Sequence, residues 1–209
     1  KAVDSLGKSF GMTSQRLKPA YTQMASMFKG LGLSTEDAMK QAETAVTLAA
    51  DAAAFYDKSY EDANAALNSF IKGNYEGGEA IGLFANETQM ASWASKNLGV
   101  DWKKLDEAGK QVARLQFAKA MQEAAGATGQ AARESNSYEN QLGNLKSSWE
   151  TLKAKLGAPI LGPAVQGLKS LSEWVEKIDT QAIISGFSAV GSVVKDFVVP
   201  PLNGLKSGI

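Results

Sequence analysis

Residues 34–56, STEDAMKQAETAVTLAADAAAFY, decide the fold class. Ser34 stands three residues before Asp37. At that spacing the hydroxyl accepts from the backbone three residues on and the acid reaches back, as in a capping box. Met39, Ala42, Val46, Ala49 and Ala53 follow at the spacing of one helix face. The stretch carries eight alanines. Alanine is the best helix former, and its single methyl lets neighbouring helices approach closely. The reading is a tightly packed interior helix ending near Tyr56.

The flanking sequence repeats these signals. Ser59 with Asp62 caps a helix over 60–71, whose face is Ala63, Leu67, Phe70 and Ile71. Gly73, Gly77 and Gly78 mark a loop, followed by a short apolar turn over 80–85. Asn86 caps a helix over 87–98, and Gly99 closes it where a left-handed residue is needed. Asp101 or Asp106 starts the next helix, to about Ala125, with Val112, Leu115, Phe117 and Met121 as its apolar side chains. On the N-terminal side a helix runs to Phe10 and breaks at Gly11. A second begins at Thr13 or Ser14 and carries Pro19 near its start, where proline is best tolerated. Strand-like alternation and Asn-Gly turns are missing. The fold class is therefore all-α: a multi-helix bundle, partly elongated.

Beyond the polar stretch at 134–137 the pattern tightens. Tyr138, Leu142, Leu145, Trp149, Leu152 and Leu156 are spaced four, three, four, three, four, an a/d seam of nearly three heptads. Gly157-Ala-Pro159 stops it, and a second seam follows at Leu161, Val165, Leu168, Leu171, Val175 and Ile178. The first seam pairs with another helix of the same chain, as in a bundle, or brings copies of the chain together side by side. Its shortness favours the first. A last helix over 181–199 is apolar and small, with Ile183, Ile184, Phe187, Val190, Val193 and Val194 as a buried or membrane-active face. Pro200-Pro201 ends it. The organisation expected is a helical cluster over 1–135, a C-terminal bundle region with coiled-coil-like seams over 136–199, and a loose tail over 200–209. There is no exact internal repeat.

Composition narrows the function classes. The 209 residues include no His and no Cys, so Ser-His-Asp and Cys-His catalysis, His or Cys zinc sites and disulfides are excluded. Lys plus Arg and Asp plus Glu are 22 each. That balance lacks the basic excess of a nucleic-acid-binding domain. The start at Lys1 without Met fits a processed chain or a piece of a longer one. No secretory signal is read, and no window reads as a clear transmembrane helix; 182–194 comes closest and is too short. The carboxylate pairs Glu76/Glu79, Asp106/Glu107 and Glu173/Glu176 read as solvated helix faces. The glycines at 73–78 and 126–129 lack the strand and the Lys-Ser/Thr of a phosphate loop. Trp93, Trp102, Trp149 and Trp174 read first as packing residues. No catalytic, cofactor or metal residue is assigned.

The order of these segments resembles the core region of phage tail tape measure proteins. The resemblance rests on Leu31-Gly-Leu-Ser-Thr-Glu-Asp-Ala38 followed by Leu48-Ala-Ala-Asp-Ala-Ala-Ala-Phe55-Tyr. It continues with Ser59-Tyr-Glu-Asp-Ala-Asn-Ala-Ala-Leu67 and Ile71-Lys-Gly73, then with Gly77-Gly-Glu-Ala-Ile-Gly-Leu-Phe84. The strongest match is Asn140-Gln-Leu-Gly-Asn-Leu145-Lys-Ser-Ser-Trp149-Glu-Thr-Leu152-Lys-Ala-Lys-Leu156-Gly157. Many members carry a basic pair where this chain has Glu79-Ala80-Ile81. The resemblance implies a non-enzymatic structural protein without cofactors. Such proteins occupy the lumen of the virion tail tube, set its length during assembly in the host cytoplasm, and leave at genome ejection. The partners implied are the tail tube protein, the tail tip, the tail assembly chaperones and further copies of the chain, a trimer for the parent. The host membrane is a partner at ejection. The alternative expectation is a membrane-active helical protein acting through 182–199 in DNA passage across the envelope.

Overall fold

The computed structural model describes residues 2–156, together with 166, 169 and 170. Among the described residues every regular element is helical. The order is α1 (Ala2–Phe10), α2 (Ser14–Gly30), α3 (Thr35–Phe55), α4 (Tyr60–Ile71), α5 (Glu87–Leu98), α6 (Glu107–Ala125), α7 (Gln130–Arg133) and α8 (Tyr138–Leu156), with 3-10 turns at Glu76–Ile81 and Trp102–Lys104. The second seam, Trp174, Glu173/Glu176, the apolar face over 183–194 and the tail over 200–209 lie outside the described residues.

The caps form as the sequence indicates. Ser34, Ser59, Asn86 and Asp106 each accept from a backbone N–H three residues on, at 2.7–3.1 Å. Asp37 reaches back to the Ser34 hydroxyl at 2.6 Å, rather than to its backbone. Asp101 and Asp106 both act as caps: Asp101 holds the 3-10 turn that precedes α6.

α3 is the central helix and packs against α1, α2, α4, α6 and α7. Ala38, Ala42, Ala45, Ala49 and Ala52 are buried along it, and Ala50 and Ala53 bury a second side. Small side chains suit a helix with neighbours on several sides, because backbones can approach without bulky residues holding them apart. Met39 departs from the expected face and is 45 % exposed. Buried alanines on more than one side set α3's orientation. The core is completed by Leu17, Met24, Phe28, Leu67, Phe70, Ile71, Met90 and Leu115, all fully buried. Val112 and Met121 of α6 are packed against the core but only partly buried.

The chain divides into two compact units, Lys1–Thr151 and Leu152–Ile209. The sequence reading divides it at 135/136. In the first unit, α8 as far as Thr151 stays with α1 and α2 through long-range hydrogen bonds.

Candidate functional site

The feature that sets this fold apart is the way α8 is held. Leu142 and Leu145 of the predicted seam are 46 % and 68 % exposed, Leu152 is 43 % exposed, and Trp149 is half-buried. Among the described residues no helix closes this seam, so the same-chain pairing favoured by its spacing is not found there. The side chains of Tyr138 and Leu156 lie outside the described set.

The opposite, polar stripe of α8 faces the protein instead. Arg16, in the first turn of α2, is the centre of the attachment. Its Nε and Nη2 donate to Oε1 and Oε2 of Glu61 at 3.1 and 3.2 Å, a two-point fork onto the first turn of α4. Its Nη1 donates to the Asn140 carbonyl at 3.0 Å and to Asn140 Oδ1 at 2.9 Å. A longer bond reaches Asn144 Oδ1 at 3.3 Å. The planar guanidinium supplies five donors in fixed directions, so one side chain ties three helices together.

Asn140 and Asn144, one turn apart, complete the attachment. Asn140 Nδ2 donates to the carbonyls of Phe10 and Ser135 at 2.8 Å each. Asn144 Nδ2 donates to the Gly11 carbonyl at 2.7 Å, and Asn144 Oδ1 accepts from the Thr13 backbone N–H at 3.0 Å. These bonds occupy backbone groups where α1 ends and α2 begins, where helices leave such groups unserved. Thr13 precedes α2 without a side-chain cap bond; its hydroxyl instead lies 3.4 Å from Ser147 Oγ.

Two glycines make the close approach possible. A Cβ on Gly143 would sit 2.3 Å from Arg16 Cζ. A Cβ on Gly11, whose φ is +64°, would sit 2.3 Å from the Ser135 carbonyl oxygen. Both contacts are impossible for a side-chain carbon.

Burial, the largest single influence, raises the Glu61 carboxyl's pKa, but the Arg16 hydrogen bonds, a backbone hydrogen bond and the charges of Arg16 and Lys146 together outweigh it and hold the group below the usual glutamate value. Glu61 is therefore ionised at neutral pH and the fork is charge-assisted.

A second buried arginine organises the far end of the unit. Arg114 lies against the rings of Tyr75 and Trp102 and donates to the Ile71 carbonyl at 3.1 Å and to Glu107 at 3.0 Å. Glu87 accepts from the Tyr75 hydroxyl and from Trp102 Nε1, at 2.6 Å each. Those two hydrogen bonds, Tyr75 first, lower its pKa. Trp102 is thus a packing residue, as is Trp93, which meets Phe117 edge-on at 5.4 Å. Asp106 caps a helix, Glu107 serves Arg114, and Glu76 and Glu79 are exposed. Among the described residues no group of three or more acids forms a possible metal site, and no helix is long and apolar enough to cross a membrane.

Comparison with family models, curated proteins and solved structures gives no match.

Sequence reasoning missed the attachment. Its only sequence signal is the polar set Asn140, Gly143, Asn144 and Ser147, at helical spacing opposite the leucines. On a helix with an apolar seam, such a set reads as the solvated side.

Proposed function

We propose that this chain is a structural and assembly domain of a phage tail tape measure protein. It acts by helix length and packing rather than by catalysis, and α8 is its contact element. The observation that supports this most directly is the orientation of α8. Polar groups hold it to the domain, so Leu142 and Leu145 remain available to helices from outside the domain. A structural element meant for assembly needs such a face, and a self-contained enzyme does not. The order of segments that resembles tape measure proteins supports the same reading. In this proposal the α8 stripe is a coiled-coil-like seam within an elongated helical assembly in the tube lumen. Its partners are further copies of the chain, the tube protein, the tip and the assembly chaperones.

Tail length tests this. Duplicating 137–157 in frame in the parent gene adds 21 residues, which as helix lengthen the ruler by roughly 30 Å. The expected outcome is a tail-length distribution shifted by that amount in electron micrographs. Tails of unchanged length would remove this region from the ruler. The alternative, a membrane-active protein, rests on 182–199 and gains no support from the described residues.

A further inference from the structure

Leu142 and Leu145 form the exposed centre of the α8 stripe, with Trp149 half-buried one turn on. By helical spacing they stand opposite Asn140 and Asn144, the residues that hold α8 to the domain. Large apolar side chains held out on one regular helix face gain by being covered. The side that bears them points away from the domain, so a partner helix approaches from the solvent side.

The flanks of the stripe indicate which helix that is. In an a/d seam the two flanking rows, e and g, carry the charges that select partner and orientation. Over 138–149 one row holds Glu139 and Lys146, both exposed, and the other holds Gln141 and Ser148, both uncharged. Lys146 lends its charge to Glu61, but neither Glu139 nor Lys146 forms an ion pair among the described residues. In an antiparallel pair each row meets itself. With Leu142 set against Leu145 of the second copy, Glu139 falls opposite Lys146, and twofold symmetry makes that pair occur twice. Sliding the copies until Leu145 meets Trp149 brings Lys146 against Lys146 instead. A parallel pair sets the charged row against the uncharged one. The charges are self-complementary in the first arrangement and not in the other two.

We infer that α8 binds a second copy of this chain, antiparallel over 138–149, with Leu142 of each copy against Leu145 of the other and Glu139 against Lys146. The inference rests on the reading of α8 as the contact element and names its partner. The overlap is about 12 residues, roughly 18 Å of helix, so the interface is small and the association weak.

The test is a concentration series of the full chain from about 10 µM to about 1 mM, followed by sedimentation and amide NMR. The expected result is a reversible monomer–dimer equilibrium in which amides of 138–149 shift with concentration and those of α3 do not. Glu139→Lys turns two opposite-charge pairs into two like-charge pairs and is expected to weaken dimerisation about ten-fold. Its melting temperature in dilute solution stays that of the parent, because the site is exposed. Mixing the Glu139→Lys chain with a Lys146→Glu chain re-forms both pairs and is expected to recover the lost affinity. Orientation is read separately. The chain has no Cys, so disulfides report only introduced ones. A Leu142→Cys chain mixed with a mass-tagged Leu145→Cys chain is expected to give mainly the mixed disulfide. The proposal is overturned by a chain that stays monomeric across the series, by a trimer, by an affinity that Glu139→Lys leaves unchanged, or by like-with-like disulfides, which mark a parallel pair. A monomeric chain whose duplicated 137–157 still lengthens the tail would remove the second copy and leave the assembly reading standing.

Discussion

The buried polar side chains of Arg16, Asp51 and Asn140 are satisfied by partners far away in the chain, and single atoms decide the outcome. Asp51, 2 % exposed, accepts the backbone N–H groups of Gly129 and Ala131 at 2.8 and 3.0 Å and so holds the four-residue α7 against α3. Asp51→Ala leaves both donors unserved inside the protein. We expect a loss of about 3 kcal/mol, seen as a melting temperature lower by roughly 6–12 °C in calorimetry. Gly143→Ala places a methyl where the Arg16 guanidinium now sits. Arg16 cannot yield without giving up Glu61 or Asn140. The expected outcome is amide exchange in α8 faster by about ten-fold or more, with exchange in α3 and α4 unchanged. Equal acceleration throughout would mean that α8 is integral to the core.

The elements differ in what holds them. α3 and α4 are held by apolar burial; their boundaries and the face of α4 were legible from caps and periodicity, whereas α3 exposes Met39 of its expected face and buries a second side. α8 has the most regular apolar spacing in the described chain, yet it is attached by Arg16, Asn140 and Asn144. Replacing Leu142 and Leu145 by Gln tests this directly. If the leucines face solvent, the change in stability stays within about 0.5 kcal/mol per site in denaturant unfolding. A closed seam would cost about 2–5 kcal/mol for each truncated leucine, a range set by buried leucine deletions. In the tail-assembly reading the same pair of changes impairs assembly while leaving the isolated domain stable.

For the whole molecule, the charged fork links the attachment of α8 to pH. The Glu61 carboxyl has a lower pKa folded than unfolded. Such a group contributes stability above its unfolded value, about 4.3 for glutamate, and loses it as pH falls through the lower folded value. Acidification below about pH 4 is therefore expected to loosen α8, read as its amide exchange rising; Glu61→Gln should remove most of that pH dependence. A wild-type response matching that of Glu61→Gln would place the pH sensitivity elsewhere. The sequence by itself determined the all-helical class, the caps at Ser34, Ser59 and Asn86, and the apolar face of α4, because capping and helical periodicity act between residues three or four apart. Tertiary structure alone decided which side of α8 faces the protein and which partners meet Asp51 and Arg16. Those outcomes depend on groups 45 to 131 residues apart for most of the bonds involved. A polar stripe looks the same in sequence whether water or a buried arginine serves it.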